Sequence, residues 1–354
     1  MTKIITFYNH KGGVSKTTTT FNLAHLLSLN GKKVLTVDAD PQSNLTELML
    51  APVIADLDER ERVTGEEYEL EGTSLLQLLK PRLDGDIAEI ALESVQTIKI
   101  NDNLELLRGD VNLSSIEDSL SEAHIQRFSN KTHEKRTYVA IGDILQRYGV
   151  ENEIDYILID VGPSSGALTR SCFLVCDGYF VPTAPDRFNV QAIGTLSIII
   201  KKWMGDHQQI MDDFEELGLP IRKGLPKFLG VVLQNYKIRD GKPKPTYQMW
   251  MDRIPLKVAS SLFPAVNKFS DASHDVTSGL TGDKIVVSRI RDFEGLIPIM
   301  QEHGKPMFSI TKDDTRVTND KGTPWSGVAW SQAEERMASY QSCIQELANN
   351  LELL

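Results

Sequence analysis

The stretch from Ile4 to Thr20, IITFYNHKGGVSKTTTT, restricts what this chain can fold into more than any other. A short apolar run (Ile4, Ile5, Phe7) gives way to Asn9 and His10, then to KGGVSKTT from Lys11 to Thr18. The FNLAHLLSL that follows puts Leu23, Leu26 and Leu27 at helical spacing. The order is strand, glycine turn, helix. Gly12 and Gly13 have no side chains, so backbone N–H groups can approach a phosphate closely. A helix that begins near Lys16 turns its positive end toward the same spot. Lys16 adds a mobile ammonium for terminal phosphates, and the Thr17 hydroxyl can ligate the Mg2+ that accompanies them. The plain alternative is a glycine turn before an ordinary helix. Strand–loop–helix order with Gly-Gly-x-x-Lys-Thr favours a nucleotide site.

A simple phosphate loop does not require Lys11. With that lysine present, KGGVSKTT resembles the deviant Walker A box of the ParA/MinD family of P-loop ATPases (SIMIBI class), closest to the ParA/Soj-type partition ATPases. The resemblance implies that Lys11, Gly12, Gly13, Val14, Ser15, Lys16, Thr17 and Thr18 hold ATP. It also implies that Lys11 reaches across a dimer interface to the ATP of the partner subunit.

KKVLTVDADPQSNLT, Lys32 to Thr46, follows the first helix. VLTV is an apolar run of buried-strand type, and it ends in Asp38, Ala39, Asp40, Pro41, Gln42. Carboxylates at i and i+2 leave a strand end on the same side, where ligands bind in an open α/β sheet. A solvated turn also accommodates Asp-Pro. Position one βα unit after the phosphate loop favours a catalytic role, and the segment resembles the family's DxDPQ box. That resemblance assigns Asp40 to the hydrolytic water and Asp38 to the magnesium shell.

DYILIDVGPSSG, Asp155 to Gly166, is the second anchor. A buried strand ends at Asp160, which can accept hydrogen bonds from magnesium-bound water. Gly162, Pro163 and Gly166 form a turn able to respond to a γ-phosphate. The segment resembles the family's hhhhD-x-x-P box, from which Gly162 departs. Cys172 and Cys176, four apart on the next helix, lack CxxC spacing and read as core, not as cluster ligands. KFLGVVLQNY (Lys227 to Tyr236) is a further strand, and Asn235 at its end occupies the position where relatives contact adenine. Arg289 or Arg291 is expected near the base. No N-K-x-D motif is present, so ATP is preferred to GTP.

Net charge is −11, which argues against a surface that binds nucleic acid all over, although a local basic patch remains compatible. Two basic clusters exist: Arg127 to Arg136 (RFSNKTHEKR) and Lys237 to Lys244 (KIRDGKPK). Each reads as a solvated loop or as a contact for DNA phosphates, and the resemblance points to Lys237, Arg239, Lys242 and Lys244 as DNA-binding. Ser114 or Ser115 is expected to cap a helix with Glu117 or Asp118 in its first turn. No apolar run approaches the ~18–20 residues of a membrane span, and the N-terminus lacks a signal-peptide pattern or room for a helix-turn-helix extension. Three cysteines make a reducing cytoplasm the default. The final helix, with four glutamates and one arginine, lacks a basic face for anionic lipid.

The expected fold is one α/β domain over residues 1–354, a doubly wound, mostly parallel sheet with helices on both faces, with insertions near 51–100, 125–150 and 310–325. The resemblance implies a Mg2+-dependent ATPase that dimerises on ATP and separates on hydrolysis. The leading expectation is DNA or plasmid partition, with non-specific DNA binding (hence nucleoid association) and a ParB-like activating partner. The alternative is a regulatory ATP switch that docks a protein effector without DNA. A ligase or metal-cluster carrier would require a substrate pocket or cluster cysteines that the sequence does not display.

Overall fold

The computed structural model describes residues 2–293 and 295–354. In chain order the elements are β1 (Lys3–Phe7), α1 (Lys16–Leu29), β2 (Val34–Ala39), α2 (Asn44–Met49), α3 (Ala51–Thr64), α4 (Leu75–Leu83), β3 (Ile98–Asn101) and β4 (Leu104–Leu107). Then come α5 (Glu117–Ile125), α6 (Thr132–Glu151), β5 (Tyr156–Val161), α7 (Ala167–Leu174), β6 (Gly178–Thr183), α8 (Arg187–Glu216) and β7 (Lys227–Tyr236). A small hairpin, β8 (Ile238–Arg239) and β9 (Lys242–Pro243), precedes α9 (Pro245–Lys257) and α10 (Phe263–Val266). The chain closes with β10 (Val286–Arg291), α11 (Ile297–His303) and α12 (Gly327–Asn350).

Eight strands form one sheet in the order β10-β7-β6-β1-β5-β2-β4-β3. All neighbours pair in parallel except β3, which runs antiparallel to β4. Both faces are covered, so the inner strands are buried throughout and mostly apolar: every residue of VLTVDA in β2 and GYFVPT in β6 is buried. One core layer gathers α4 to α9 around Phe173, Tyr179, Trp203 and Phe214. The other packs α1, α11 and α12 around Phe21, Phe180, Phe293 and Tyr340. The central strand β1 lies between β5 and β6, so chain order reverses beside it and a crevice opens at the carboxyl ends of the strands.

The acidic stretch after Met49 is a helix, α3, with no buried residue and with Arg60 and Arg62 paired to Asp56 and Glu59 on its own surface. Within 125–150, α6 buries Tyr138, Ile141, Ile144 and Leu145 and forms part of the core layer. Ser114 and Ser115 do not cap a helix: they lie inside a 3-10 turn, Leu113–Ile116, and α5 starts at Glu117 without a side-chain cap. Glu117 instead accepts the N–H groups of Ala167 and Leu168, capping α7 across the fold. No helix among the described residues is long and apolar enough to cross a membrane.

Candidate functional site

At the end of β1 the chain turns through Asn9, a buried side chain that ties the loop at both ends. Its Nδ2 donates to the Pro182 carbonyl at 2.8 Å, and its Oδ1 accepts the Lys11 N–H at 3.1 Å. Gly13 takes a left-handed φ of 71° and Ser15 one of 57°, after which α1 begins at Lys16. Lys16 is buried, with its ammonium 3.4 Å from both the Asn9 and Lys11 carbonyls. Burial holds its pKa below the usual lysine value, against the opposing pull of Asp160 and Asp40. The Lys11 ammonium is half-exposed and makes no hydrogen bond or ion pair among the described residues.

Asp38 on β2 and Asp160 on β5 are register partners on adjacent strands. Asp38 accepts the Thr46 N–H at 2.8 Å, the Thr46 hydroxyl at 2.7 Å and the Asp40 N–H at 3.2 Å. Thr46 in turn accepts the Gly109 N–H at 2.8 Å, so Asp38 anchors the start of α2 and the loop after β4. Its carboxyl is pushed up to about 6 by burial, with the Thr46 bonds opposing. Both carboxyl oxygens of Asp160 are buried without a hydrogen-bond partner. Burial, and then the nearby Asp38 charge, push its pKa well above the usual carboxylate range.

Asp40 is buried at the same sheet end, its Oδ1 accepting the Gln42 N–H at 3.1 Å. Gly162 explains itself here: a Cβ at that position would sit 3.0 Å from the Asp40 carboxylate. A Cβ on Gly12 would lie 3.9 Å from Pro163, so the phosphate loop and the turn after β5 meet. The three loops thus converge, bringing together Lys16, Asp40 and Asp160 as expected. Asp38 stands beside Asp160 at the same sheet end, its oxygens accepting from Thr46 and the Asp40 N–H.

Asp160 supplies the test for a divalent cation. Two buried, unpartnered carboxylate oxygens near the Thr17 hydroxyl and Lys16 fit a hydrated Mg2+. Among the described residues no group of three His, Cys, Asp or Glu side chains can hold a metal by itself. The donor set therefore suits an ion that arrives with phosphate oxygens and keeps several waters.

The remaining expected residues fall into three places. Asn235, at φ 59°, lies against the phosphate loop: Oδ1 accepts the Ser15 hydroxyl at 3.2 Å and Nδ2 donates to the Gly13 carbonyl at 3.1 Å. Arg289 lies exposed on β10 and lines a hollow with Gln248, Asp252 and Asp283, apart from the phosphate loop. Lys237, Arg239, Lys242 and Lys244 are exposed on the β8–β9 hairpin, which turns through Asp240 and Gly241 at positive φ. Lys237 lies 3.9 Å from Asp292, and Arg239 lies 3.7 Å from Asp240. In the other basic cluster, Arg127 pairs with Asp206 at 3.2 Å. Cys172 and Cys176 are fully buried, with Cys172 pushed up to about 12 by burial and Cys176 also raised, so both are inert core thiols.

Asn9, Thr46 and Gly109 were not singled out from the sequence. Asn9 carried a weak signal, a polar residue at a strand end beside a glycine loop. Gly109 carried none, because its need for glycine comes from Ser43 and Asp38, 2.8 and 2.9 Å from where a Cβ would stand.

The sheet order and the loop at its carboxyl end define a P-loop ATPase fold of ParA/MinD type. Residues 2–212, more than half of the chain, match the family model AAA_31, an AAA domain, and the chain belongs to that family. Among curated relatives, it is 29% identical over 196 residues to the sporulation initiation inhibitor protein Soj of Bacillus subtilis, covering 55% of this chain and 64% of Soj. It is 26% identical over 203 residues to the chromosome partitioning protein ParA of Caulobacter vibrioides, covering 57% and 64%. An uncharacterized protein of Mycobacterium tuberculosis is 32% identical over 200 residues, 56% of this chain and 52% of that one. The match thus spans between half and two-thirds of these relatives' lengths. Two solved structures share the fold over nearly the whole chain. A Corynebacterium diphtheriae protein has TM-score 0.65 at 22% identity, covering 99% and 97%. An ATP complex of a Cyanothece McdA variant has TM-score 0.59 at 17% identity, covering 99% and 96%.

Proposed function

We propose that this chain is a ParA-like ATPase, a single domain that binds ATP with Mg2+, pairs with a second copy and separates after hydrolysis. The observation that carries the reading is the convergence of buried Lys16, orphaned Asp160 and unpaired Lys11 on one phosphate loop. The loop amides and the α1 N-terminus bind the phosphates, and Lys16 neutralises the terminal ones. Bound Mg2+ would supply charge neutralisation on the phosphates, held beside Thr17 and Asp160. Asp40 orients the attacking water, with Gly162 leaving it room. Lys11 extends to the triphosphate of the second copy, and the loss of that charge contact on cleavage loosens the pair.

DNA positioning through the exposed β8–β9 hairpin, stimulated by a ParB-like partner, extends this reading. Soj, ParA and a Borrelia burgdorferi putative plasmid partition protein bound to AMPPNP (TM-score 0.50, 18% identity, covering 100% and 98%) support that direction. The net charge of −11 supports a second reading, an ATP-dependent switch that docks a protein effector and ignores DNA.

Light scattering tests the pairing. ATP with Mg2+ should convert monomer to dimer, and Lys11→Ala should bind ATP yet remain monomeric. A wild-type protein that stays monomeric with ATP overturns the reading. DNA retention separates the two extensions: four phosphate contacts give a log–log salt slope of about −3 to −4, and no retention at low salt favours the effector switch.

A further inference from the structure

Two residues near the phosphate loop hold a backbone conformation that side chains disfavour. Ser15 has φ 57° and Asn235 has φ 59°. Asparagine tolerates the left-handed region better than serine does, and a serine there calls for a compensating contact. Each residue is the other's contact. The Ser15 hydroxyl donates to Asn235 Oδ1 at 3.2 Å, and Asn235 Nδ2 donates to the Gly13 carbonyl at 3.1 Å. A carbonyl can only accept, so the orientation of the Asn235 amide is fixed.

The next residue of β7 makes a second tie. Gln234, buried, donates from Nε2 to the Thr19 hydroxyl at 2.8 Å. Thr19 donates its own hydroxyl to the Ser15 carbonyl at 2.7 Å. The circuit runs from Ser15 through Asn235 and Gln234 to Thr19 and back to Ser15. It joins the end of β7 to both the phosphate loop and the first turn of α1.

We propose that Ser15 and Asn235 form a clasp that shapes the phosphate loop, making Asn235 a positioning residue for the triphosphate. In a trans peptide the carbonyl and the following N–H point in opposite directions. Holding the Gly13 carbonyl toward Asn235 therefore sends the Val14 N–H away from it. The Asn235 amide gives the loop one lone pair and one N–H and keeps one of each.

The consequence for the reaction rests on the nucleotide reading above; the clasp itself does not. Asn235→Gly keeps the backbone conformation accessible and deletes only the side chain. In the nucleotide-free protein, hydrogen exchange at the Val14 to Lys16 amides should quicken at least threefold in this variant. Calorimetry should show GTP as well as ATP losing affinity, by about tenfold for two hydrogen bonds, since the clasp acts on the triphosphate. Ser15→Gly removes the hydroxyl and relieves the strained φ, so it should unfold no earlier than wild type while weakening nucleotide binding about threefold. The double variant should bind as Asn235→Gly does, because one hydrogen bond is shared. Undiminished GTP affinity, strictly additive effects, or unchanged exchange at the loop would each overturn the clasp. If wild type binds neither nucleotide while exchange still responds to Asn235→Gly, the clasp stands and the nucleotide reading falls.

Discussion

Asp38 and Asp160 share a residue type, a depth and a register level on neighbouring strands, yet the fold treats them in opposite ways. Asp38 accepts three hydrogen bonds and holds together segments that close around it. Asp160 has only the Thr17 hydroxyl to turn to and remains raised beside Lys16. A buried carboxylate completed by its own chain is a structural part. One left incomplete at the end of a strand, next to a phosphate loop, stores the cost of its burial until a cation or a proton relieves it.

The largest effect should come from the cation that serves Asp160. Lys16→Ala should weaken ATP binding by more than about 100-fold by calorimetry, since a buried charge-assisted contact and the partial neutralisation of Asp160 are lost together. Retained affinity would mean that the loop does not carry the phosphates.

Asp38→Ala strips two donors of Thr46 of their acceptor and should cost about 2–4 kcal/mol in chemical denaturation. Magnesium dependence of the remaining folded protein should stay as in wild type. If instead stability is untouched and magnesium dependence disappears, the two aspartates have exchanged roles.

Asp160→Asn should move the opposite way. Removing a buried carboxyl that the fold must keep protonated should stabilise the ligand-free protein by about 1–2 kcal/mol at neutral pH while abolishing the gain in nucleotide affinity that Mg2+ confers. A destabilised variant with magnesium dependence intact would end the comparison.

The smallest effect is a slope with pH. Asp160 titrates above its unfolded value, so over the window between them the folded chain holds a proton that the unfolded chain has released. Stability therefore falls as pH rises. Asp38, at about 6, contributes the same sign up to that pH. His25 and His207, both lowered to about 4 by burial, work in the other direction: their stability is complete above about 6.5 and fades as pH falls toward 4. From pH 6.5 to 8 only the Asp160 contribution remains of these four. The decline there should be flat in Asp160→Asn, measured by denaturant midpoints.

Much of the site was legible because its parts are local. Gly12, Gly13, Lys16 and Thr17 lie within one strand–loop–helix, and the spacing that brings them to a phosphate is set by neighbours in sequence. Asp38, Asp40 and Asp160 end apolar runs, which places them at the carboxyl end of a parallel sheet. The role of Gly162 was not legible, since the carboxylate it makes room for arrives from another strand. Nor was the cap that Glu117, from the first turn of α5, gives to α7. The acidic stretch of α3 read equally as a charged loop or a solvated helix, because a helix with no buried side chain carries no apolar period to separate the two.

From sequence alone came the alternation of strand and helix, the location of the phosphate loop and the set of acidic residues facing it. These follow from hydrophobic period, glycine geometry and the chemistry of side chains within a few positions of one another. Only the tertiary structure decided which aspartate is completed by its own fold and which is left open, and that Asn235 turns its amide onto the loop. Hydrogen bonds across distant strands exist only once the sheet has assembled, and whether a buried polar group is satisfied depends on what the rest of the chain brings within 3 Å or so of it.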